Sequence, residues 1–288
     1  MTNPPMAETS DTFARSCDHW SEKNRSEMEA FYALASVDYR HLAEAVDWRE
    51  WLKDRQRDAG TRSLNLLDVA CGSGKFPAAL MAYGGVDTTS VEPIRYALLD
   101  PSGFSIEEAR SVLQPPFAAA EEFEITLQEL SCPPGTFDIV WATHALYAIP
   151  KVELRAGLER FVNAMAKGTG AGFIAHASDQ AHYLKFYRHY LDDFKAAQGE
   201  PYSSSEEITN VLNEMGASFE TRDITYTNGA PDSERHHVEG YLQRCVFDDT
   251  ISLDDMLTKP KTGAYLQTCL ESGVWKFQQR VSLIFIST

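Results

Sequence analysis

The sequence predicts an α/β fold: a doubly wound, mostly parallel sheet with a helical cap ahead of it and a lid inserted toward the C-terminus. Three observations carry that expectation. Short apolar runs alternate with stretches of helical period, and the runs end in small-residue or Asp-Pro turns. The 288 residues, 43% hydrophobic and 11% aromatic, also suffice for one large core. In such sheets ligands bind beyond the carboxyl ends of the strands.

Residues 1 to about 10 read as a leader without structure of its own. From Asp11 to about Lys53 the chain lacks proline and glycine. It places Phe31, Leu34, Ala35, Leu42, Ala45 and Val46 inward, which predicts two or more amphipathic helices. Asp58-Ala59-Gly60 breaks the pattern. Residues 63–69 are a first strand, 70–74 its turn and 75–83 a helix. A second strand, 94–99, ends in Asp100-Pro101-Ser102, and Ser105 with Glu108 forms a capping box for the next helix. Residues 123–127 and 137–143 are the third and fourth strands. A helix through Leu154, Leu158, Phe161 and Met165 closes at Gly168-Thr169-Gly170, and 172–175 is a fifth strand. Ser204 and Glu207 make another capping box, opening a helix that stops at Gly216. Residues 218–226 and 275–286 complete seven strands, and the stretch between them, with Pro231 and Pro260, reads as a lid.

The balance of 26 Lys+Arg against 42 Asp+Glu leaves a formal charge of −16, which argues against a long polyanion, so nucleic acid is not an expected partner. The longest apolar stretches, such as 281–286, fall far short of the roughly 18 residues a membrane helix needs. The first 16 residues lack the basic-then-apolar pattern of a secretory signal. Cys17, Cys71, Cys132, Cys245 and Cys269 are scattered without a C-x-x-C pair, which predicts neither a disulfide framework nor a zinc site. The expectation is a cytoplasmic protein with a small-molecule ligand and no membrane partner; the sequence leaves its oligomeric state open.

Gly72 and Gly74 let the backbone approach a ligand closely and leave helix N–H groups aimed at it. The turn is not a P-loop, because it lacks the G-K-[ST] ending. Nor is it a full dinucleotide fingerprint, because Pro77 stands at the third glycine position. A carboxylate at the end of the second strand can accept from both hydroxyls of a ribose. Asp100 meets that need if 94–99 is the sheet strand. Glu92, nearer the usual interval of about 20 residues after the turn, meets it if 86–91 is.

Leu66-Leu67-Asp68-Val69-Ala70-Cys71-Gly72-Ser73-Gly74 resembles the first motif of class I S-adenosylmethionine-dependent methyltransferases, and Phe137-Asp138-Ile139-Val140 resembles their fourth-strand motif. The resemblance spans roughly residues 60–180 and implies a seven-stranded, Rossmann-like sheet with S-adenosyl-L-methionine as cofactor. It places the methionyl part at the turn, on Asp68, Ala70, Gly72 and Gly74. The ribose falls on Asp100 and Ser102, and the adenine on Gln128 after the third strand, while Thr143 contributes backbone past the fourth. Ala70 takes the place of the first glycine, an exchange that ordinary backbone angles would tolerate. A narrower resemblance is to histamine N-methyltransferase and its relatives. Ser36-Val37-Asp38-Tyr39, Asp100-Pro101-Ser102, Thr143-His144-Ala145-Leu146-Tyr147, residues 183–190 and Gln279-Arg280-Val281-Ser282-Leu283-Ile284 carry it. It implies substrate contacts at Asp38, His144 and Gln279, where that family shows an acid and two amides; His144 departs from the pattern.

Methyl transfer from a sulfonium needs in-line alignment at about 3 Å more than acid-base machinery. His144, just past the fourth strand, either accepts the acceptor's proton or only hydrogen-bonds it. Asp38 offers a counter-charge to an amine, and Gln279 a neutral donor or acceptor. Tyr32, Tyr39, Tyr147 and Phe186, with Trp141, Tyr183 and Tyr187, are candidate walls whose π faces suit a cation. Asp192-Asp193, Asp254-Asp255 and His236-His237 lack converging partners, so no metal is expected. The expected activity is methylation of a small metabolite, most simply at an amine nitrogen. O-, S- or C-methylation of an amino acid or keto acid is the alternative if Arg280 or Lys185 faces the pocket. A non-catalytic cofactor-binding protein is the third reading, if the pocket is blocked beside His144. Residues 1–60 form leader and cap, 61–183 the cofactor core, and 184–288 the lid and terminal strands of one integrated domain.

Overall fold

The structure, a computed structural model, describes residues 11–19 and 25–288, with side chains for 12–17 and from 34 onward. Three helices come first: α1 (Asp11–His19), α2 (Arg25–Glu44) and α3 (Trp48–Ala59). Strands and helices then alternate through β1 (Leu64–Val69), α4 (Lys75–Tyr83), β2 (Ile94–Leu99), α5 (Gly103–Val112) and β3 (Phe117–Phe123). They continue with β4 (Ile139–Thr143), α6 (Lys151–Ala164), β5 (Ala171–Ala177), α7 (His182–Phe194) and α8 (Ser205–Glu214). β6 (Ser218–Pro231) leads into α9 (Arg235–Val246), α10 (Leu253–Thr258) and α11 (Pro260–Cys269). The two-residue β7 (Leu270–Glu271) then turns into β8 (Val274–Ser287).

The sheet runs β3-β2-β1-β4-β5-β8-β6, with β7 added on β8. The first five strands pair in parallel, and β8 is antiparallel to both β5 and β6. This is the expected doubly wound sheet, with β7 as a short eighth strand. Every residue of β4 and β5 is buried and β1 is nearly so, which explains why these strands read as apolar runs without alternation.

Three local expectations are corrected. The third strand is Phe117–Phe123, not 123–127. Its Ala and Glu residues favour helix by propensity, but as the edge partner of β2 the backbone takes ladder bonds and leaves most side chains exposed. The residues that follow form a short 3-10 turn, in which the Thr126 N–H and hydroxyl both donate to Glu129. The second correction is at α5, which starts at Gly103 because Ser102 is its cap: the Ser105 N–H donates to Ser102 Oγ at 3.3 Å. The Ser105 and Glu108 pair therefore lies inside the helix. Third, α6 ends at Ala164, ahead of the Gly168-Thr169-Gly170 turn. The Ser204 and Glu207 box, by contrast, is present at α8.

Trp48 joins the cap to the sheet. It is fully buried, and its Nε1 donates to the Leu42 carbonyl at 2.8 Å. Its ring meets Phe173 of β5 at 4.7 Å and Phe76 of α4 at 5.3 Å, both edge-on. At the other end of the chain, β8 pairs with β5 only from Val281 to Ser287 but with β6 along its whole length. The halves of β6 and β8 beyond β5 overhang the sheet, and there Tyr226, Asn228 and Ala230, with Trp275, Phe277 and Gln279, are buried while their neighbours are exposed. That one-sided burial is what a two-stranded ribbon under a helical lid requires. No helix among the described residues is long and apolar enough to cross a membrane. Trp48→Ala is expected to cost about 3–5 kcal/mol of unfolding free energy, measured by urea denaturation.

Candidate active site

A cavity of about 430 Å³ opens at the carboxyl ends of β1, β2 and β4, reached there by Ala70, Asp100 and Thr143. The turn after β1 carries three residues with positive φ: Ala70 at +51°, Gly72 at +50° and Gly74 at +69°. Ala70 is thus not in an ordinary conformation; a left-handed alanine costs roughly 1–2 kcal/mol. The turn is fixed by the Cys71 N–H bonding Leu99 O at 3.0 Å and the Gly74 N–H bonding Cys71 O at 3.1 Å. Gly74 does not line the cavity: a Cβ there would come within 2.6 Å of Val112 Cγ2 and 3.1 Å of Ala109 Cα, so glycine is needed where α4 meets α5.

Asp100 faces the cavity at the end of β2. One oxygen accepts the Gly72 N–H at 3.1 Å and the other the Ser102 N–H at 2.9 Å, so the acid clamps two strand ends together. Burial pushes it up to about 6 against those two bonds and a third from the Ser105 side chain. Glu92 lies exposed before β2, and its backbone pairs with the Gln56 side chain. The strand is therefore 94–99 and the carboxylate on the cavity is Asp100. Asp68 is not on the cavity: it is buried, accepts the Tyr96 hydroxyl at 2.6 Å and is pushed up to about 7, chiefly by burial.

Ser102, Gln128 and Thr143 also line this half, Gln128 with its Nε2 donating to Glu153 at 2.9 Å. The sequence did not foresee Phe13, Ser16 and Cys17 of α1 as a further wall. Arg15 and Thr12 hold that helix in place. Arg15 donates to the hydroxyls of Tyr187 at 2.6 Å and Tyr190 at 3.0 Å, and the Thr12 hydroxyl lies 2.8 Å from Tyr187 Oη.

The other half gathers Asp38 and Tyr39 from α2, His144 and Tyr147 after β4, Tyr183 of α7, Tyr241 of α9, and Tyr226 and Gln279, which are register partners on the ribbon. Asn228 Nδ2 donates to Asp38 Oδ1 at 2.8 Å, and Gln279 Nε2 donates to Tyr241 Oη at 3.1 Å. Burial pushes Asp38 up to about 7, opposed by Asn228 and Tyr226. His144 has φ +54°, its N–H bonds Ala175 O at 2.9 Å, and its Nδ1 lies 2.7 Å from Tyr147 Oη. Burial, helped by His176, lowers it to about 3, so the premise of a histidine titrating near neutral pH does not hold. The charged lining side chains among the described residues are Asp38, Asp100 and Glu124; no lysine or arginine is among them.

Other candidates fall elsewhere. Phe186 is buried off the cavity against His182, with ring centroids 5.4 Å apart. Trp141 and Tyr187 are core residues. The Tyr32 side chain lies outside the described residues. Asp193 accepts the Lys261 and Thr262 N–H groups at the start of α11 while Asp192 pairs with Lys261, and Asp254 pairs with Arg235 while Asp255 caps α10. The His236 and His237 rings lie 3.9 Å apart, with their planes tilted by 42°. Among the described residues no group of three His, Cys, Asp or Glu side chains is placed to hold a metal.

The profile of a family described as a methyltransferase domain matches residues 39–221. The chain belongs to that methyltransferase family. No curated protein sequence matches it significantly. Among solved structures, magnesium protoporphyrin IX methyltransferase from Synechocystis PCC 6803, with bound SAH, is 13% identical at a TM-score of 0.54, covering 96% of this chain and 100% of that one. The YcgJ protein of Bacillus subtilis is 17% identical at 0.51, covering 82% and 96%. A methyltransferase of Thermotoga maritima described as a possible histamine N-methyltransferase is 12% identical at 0.49, covering 96% and 99%, a likeness too slight to support the narrower resemblance. At these identities what is shared is the fold. The cofactor of the methyltransferase is S-adenosylmethionine.

The buried acids of this methyltransferase have a thermodynamic signature. Folded Asp68 keeps a proton up to about 7, whereas an unfolded chain releases it near 4. The native state therefore binds more protons across that window, and stability falls as pH rises through it. Asp68→Asn, which retains an acceptor for Tyr96, is expected to raise the melting temperature at pH 8 while leaving it nearly unchanged at pH 4, as read by calorimetry.

Proposed function

We propose that this methyltransferase methylates a nitrogen of a small amine by in-line displacement. The observation that carries the reading is the charge of the acceptor half, where Asp38 stands among tyrosines and no described cation lines the cavity. A carboxylate substrate would need such a cation. Arg280 pairs with Asp223 on the outer face of the ribbon, and neither it nor Lys185 lines the cavity, so the keto-acid alternative lacks its partner. The cavity reaches His144, which leaves the non-catalytic reading without a block to support it.

The residues fit the cofactor. Asp100 accepts two backbone N–H groups and the Ser105 side chain, which leaves it acceptor capacity for a ribose hydroxyl. Ala70 and Gly72 would lie along the methionyl part, Ser102 would orient Asp100, Gln128 would meet the adenine edge, and Thr143 would border the reacting centre. When bound, S-adenosylmethionine supplies an electrophilic methyl group on a sulfonium. Asp38 would hold the ammonium form of the acceptor and take its proton, freeing the nitrogen lone pair. Among the described residues the groups facing Asp38 are Asn228, Tyr226, Tyr147, Tyr241 and Cys245, all uncharged at neutral pH. Tyr39, Tyr147 and Tyr183 would wall the pocket, Gln279 would contact the acceptor, and α1 and the lid would exclude water. On this reading residues 1–60 serve as cap, 61–183 as cofactor core and 184–288 as lid and closing strands. A cytoplasmic setting agrees with five free thiols.

Asp100→Ala is expected to weaken S-adenosylhomocysteine binding at least tenfold, roughly the worth of a hydrogen bond to a charged group; unchanged affinity in calorimetry overturns the assignment. Transfer of labelled methyl to a panel of amines, amino acids and keto acids tests the acceptor class, and labelling confined to acids sinks the amine reading. Asp38 is protonated below about 7 and cannot then accept a proton, so kcat/KM should climb with pH to a plateau above 7. That limb should vanish in Asp38→Asn.

A further inference from the structure

The bonding around His144 favours one placement of its ring proton. Tyr147 Oη accepts the Ala177 N–H at 3.2 Å and lies 2.7 Å from His144 Nδ1. With a backbone N–H already directed at that oxygen, the phenolic proton is the one left to bridge the gap. Nδ1 therefore accepts and Nε2 carries the hydrogen. The arrangement is held from both sides. Beneath Tyr147, the His176 ring lies 4.0 Å away and is itself fixed by its Nε2 donating to Ser203 O at 2.9 Å. His144 is locked by its left-handed backbone, a strain that persists only where the surroundings over-determine it. Nε2 is buried, belongs to a residue that lines the cavity, and has no partner among the described residues.

We infer that His144 is a fixed hydrogen-bond donor through Nε2–H, so that the acceptor is a two-point ligand: an amine held at Asp38, and an uncharged heteroatom with a lone pair held at His144. This rests on the amine reading above and narrows it. A nitrogen that already carries hydrogen takes no proton, which leaves Asp38 as the proton acceptor and gives His144 a positioning role. Among the described residues the titratable groups facing the ring are Tyr147, His176 and Tyr39; burial raises the Tyr147 phenol and lowers His176, so neither draws a charge onto it. The lone pair that attacks must stay free, so the atom bonded to His144 is a second heteroatom and not the one methylated. A ring nitrogen or a carbonyl oxygen meets that description.

Long-range proton–nitrogen NMR on the full-length protein, labelled with 15N-histidine and loaded with S-adenosylhomocysteine, tests the tautomer. His144, assigned by the signal missing from His144→Gln, should show Nε2–H and no shift between pH 5.5 and 8.5. A titration in that range, or an Nδ1–H signal, overturns the inference, and the readout needs no turnover. Binding of the three isomers of 2-(pyridyl)ethylamine against 2-phenylethylamine tests the second contact, since the compounds differ by one ring nitrogen. At least one pyridyl isomer should bind tenfold or more tighter. That preference should survive in His144→Gln, which keeps a donor, and disappear in His144→Phe. Equal affinities, or no measurable binding of any of the four, overturn the two-point acceptor. Labelling of amines in the transfer panel would meanwhile leave the amine reading standing, so the two failures are distinguishable.

Discussion

Burial of β1, β4 and β5 on both faces is the constraint on which the rest of the molecule depends. Strands covered by helices on either side leave little room for chemistry along their length, so working side chains are displaced to the ends. There the backbone groups that no longer pair in the sheet need partners. Asp100 takes two of them, bonding Gly72 and Ser102 across the ends of two strands, and the first N–H beyond β4, that of His144, bonds back to β5. The same bonds that terminate the sheet therefore shape the cavity. Left-handed residues at Ala70, Gly72 and His144 mark where the chain turns sharply enough to do so.

Much of this was legible in the sequence, for identifiable reasons. Alternation of apolar runs and helical periods located most strands, and the glycine turn and Asp100 announced themselves by residue type. Where alternation is absent the reading had less to go on. A strand buried on both faces carries no period-2 signal, so nothing told that Asp68 points to Tyr96 and away from the cavity. The strand expected over 218–226 runs on to Pro231, through residues that read as the start of the lid. Gly229 continues the strand where β8 leaves no room for a side chain, since a Cβ there would meet Trp275 O at 2.1 Å. Asn228, Tyr241 and the α1 wall reach the site only through contacts between segments far apart in the chain, which no local pattern encodes.

The electrostatics follow from the same geometry. Asp38, Asp68 and Asp100 are each raised mainly by burial, and Asp100 adds repulsion at Asp68. A protein of formal charge −16 thus holds acids at its centre that are poised between charged and neutral near physiological pH. A cationic guest favours their charged forms, so occupancy of the cavity and ionisation of its walls are linked.

The N-terminal helix closes the chain on itself. Arg15 reaches the carbonyl of Val246, 231 positions along the sequence, and Thr12 meets Tyr187, 175 positions away. Contacts of such separation form late, because the intervening loop must first be organised. A nascent chain emerging from the ribosome would hold its β1 turn and Asp100 long before the lid that anchors α1 exists. The front wall of the cavity is therefore assembled from segments more than 170 positions apart, and the site is completed only once α7 and α9 are in place to receive α1.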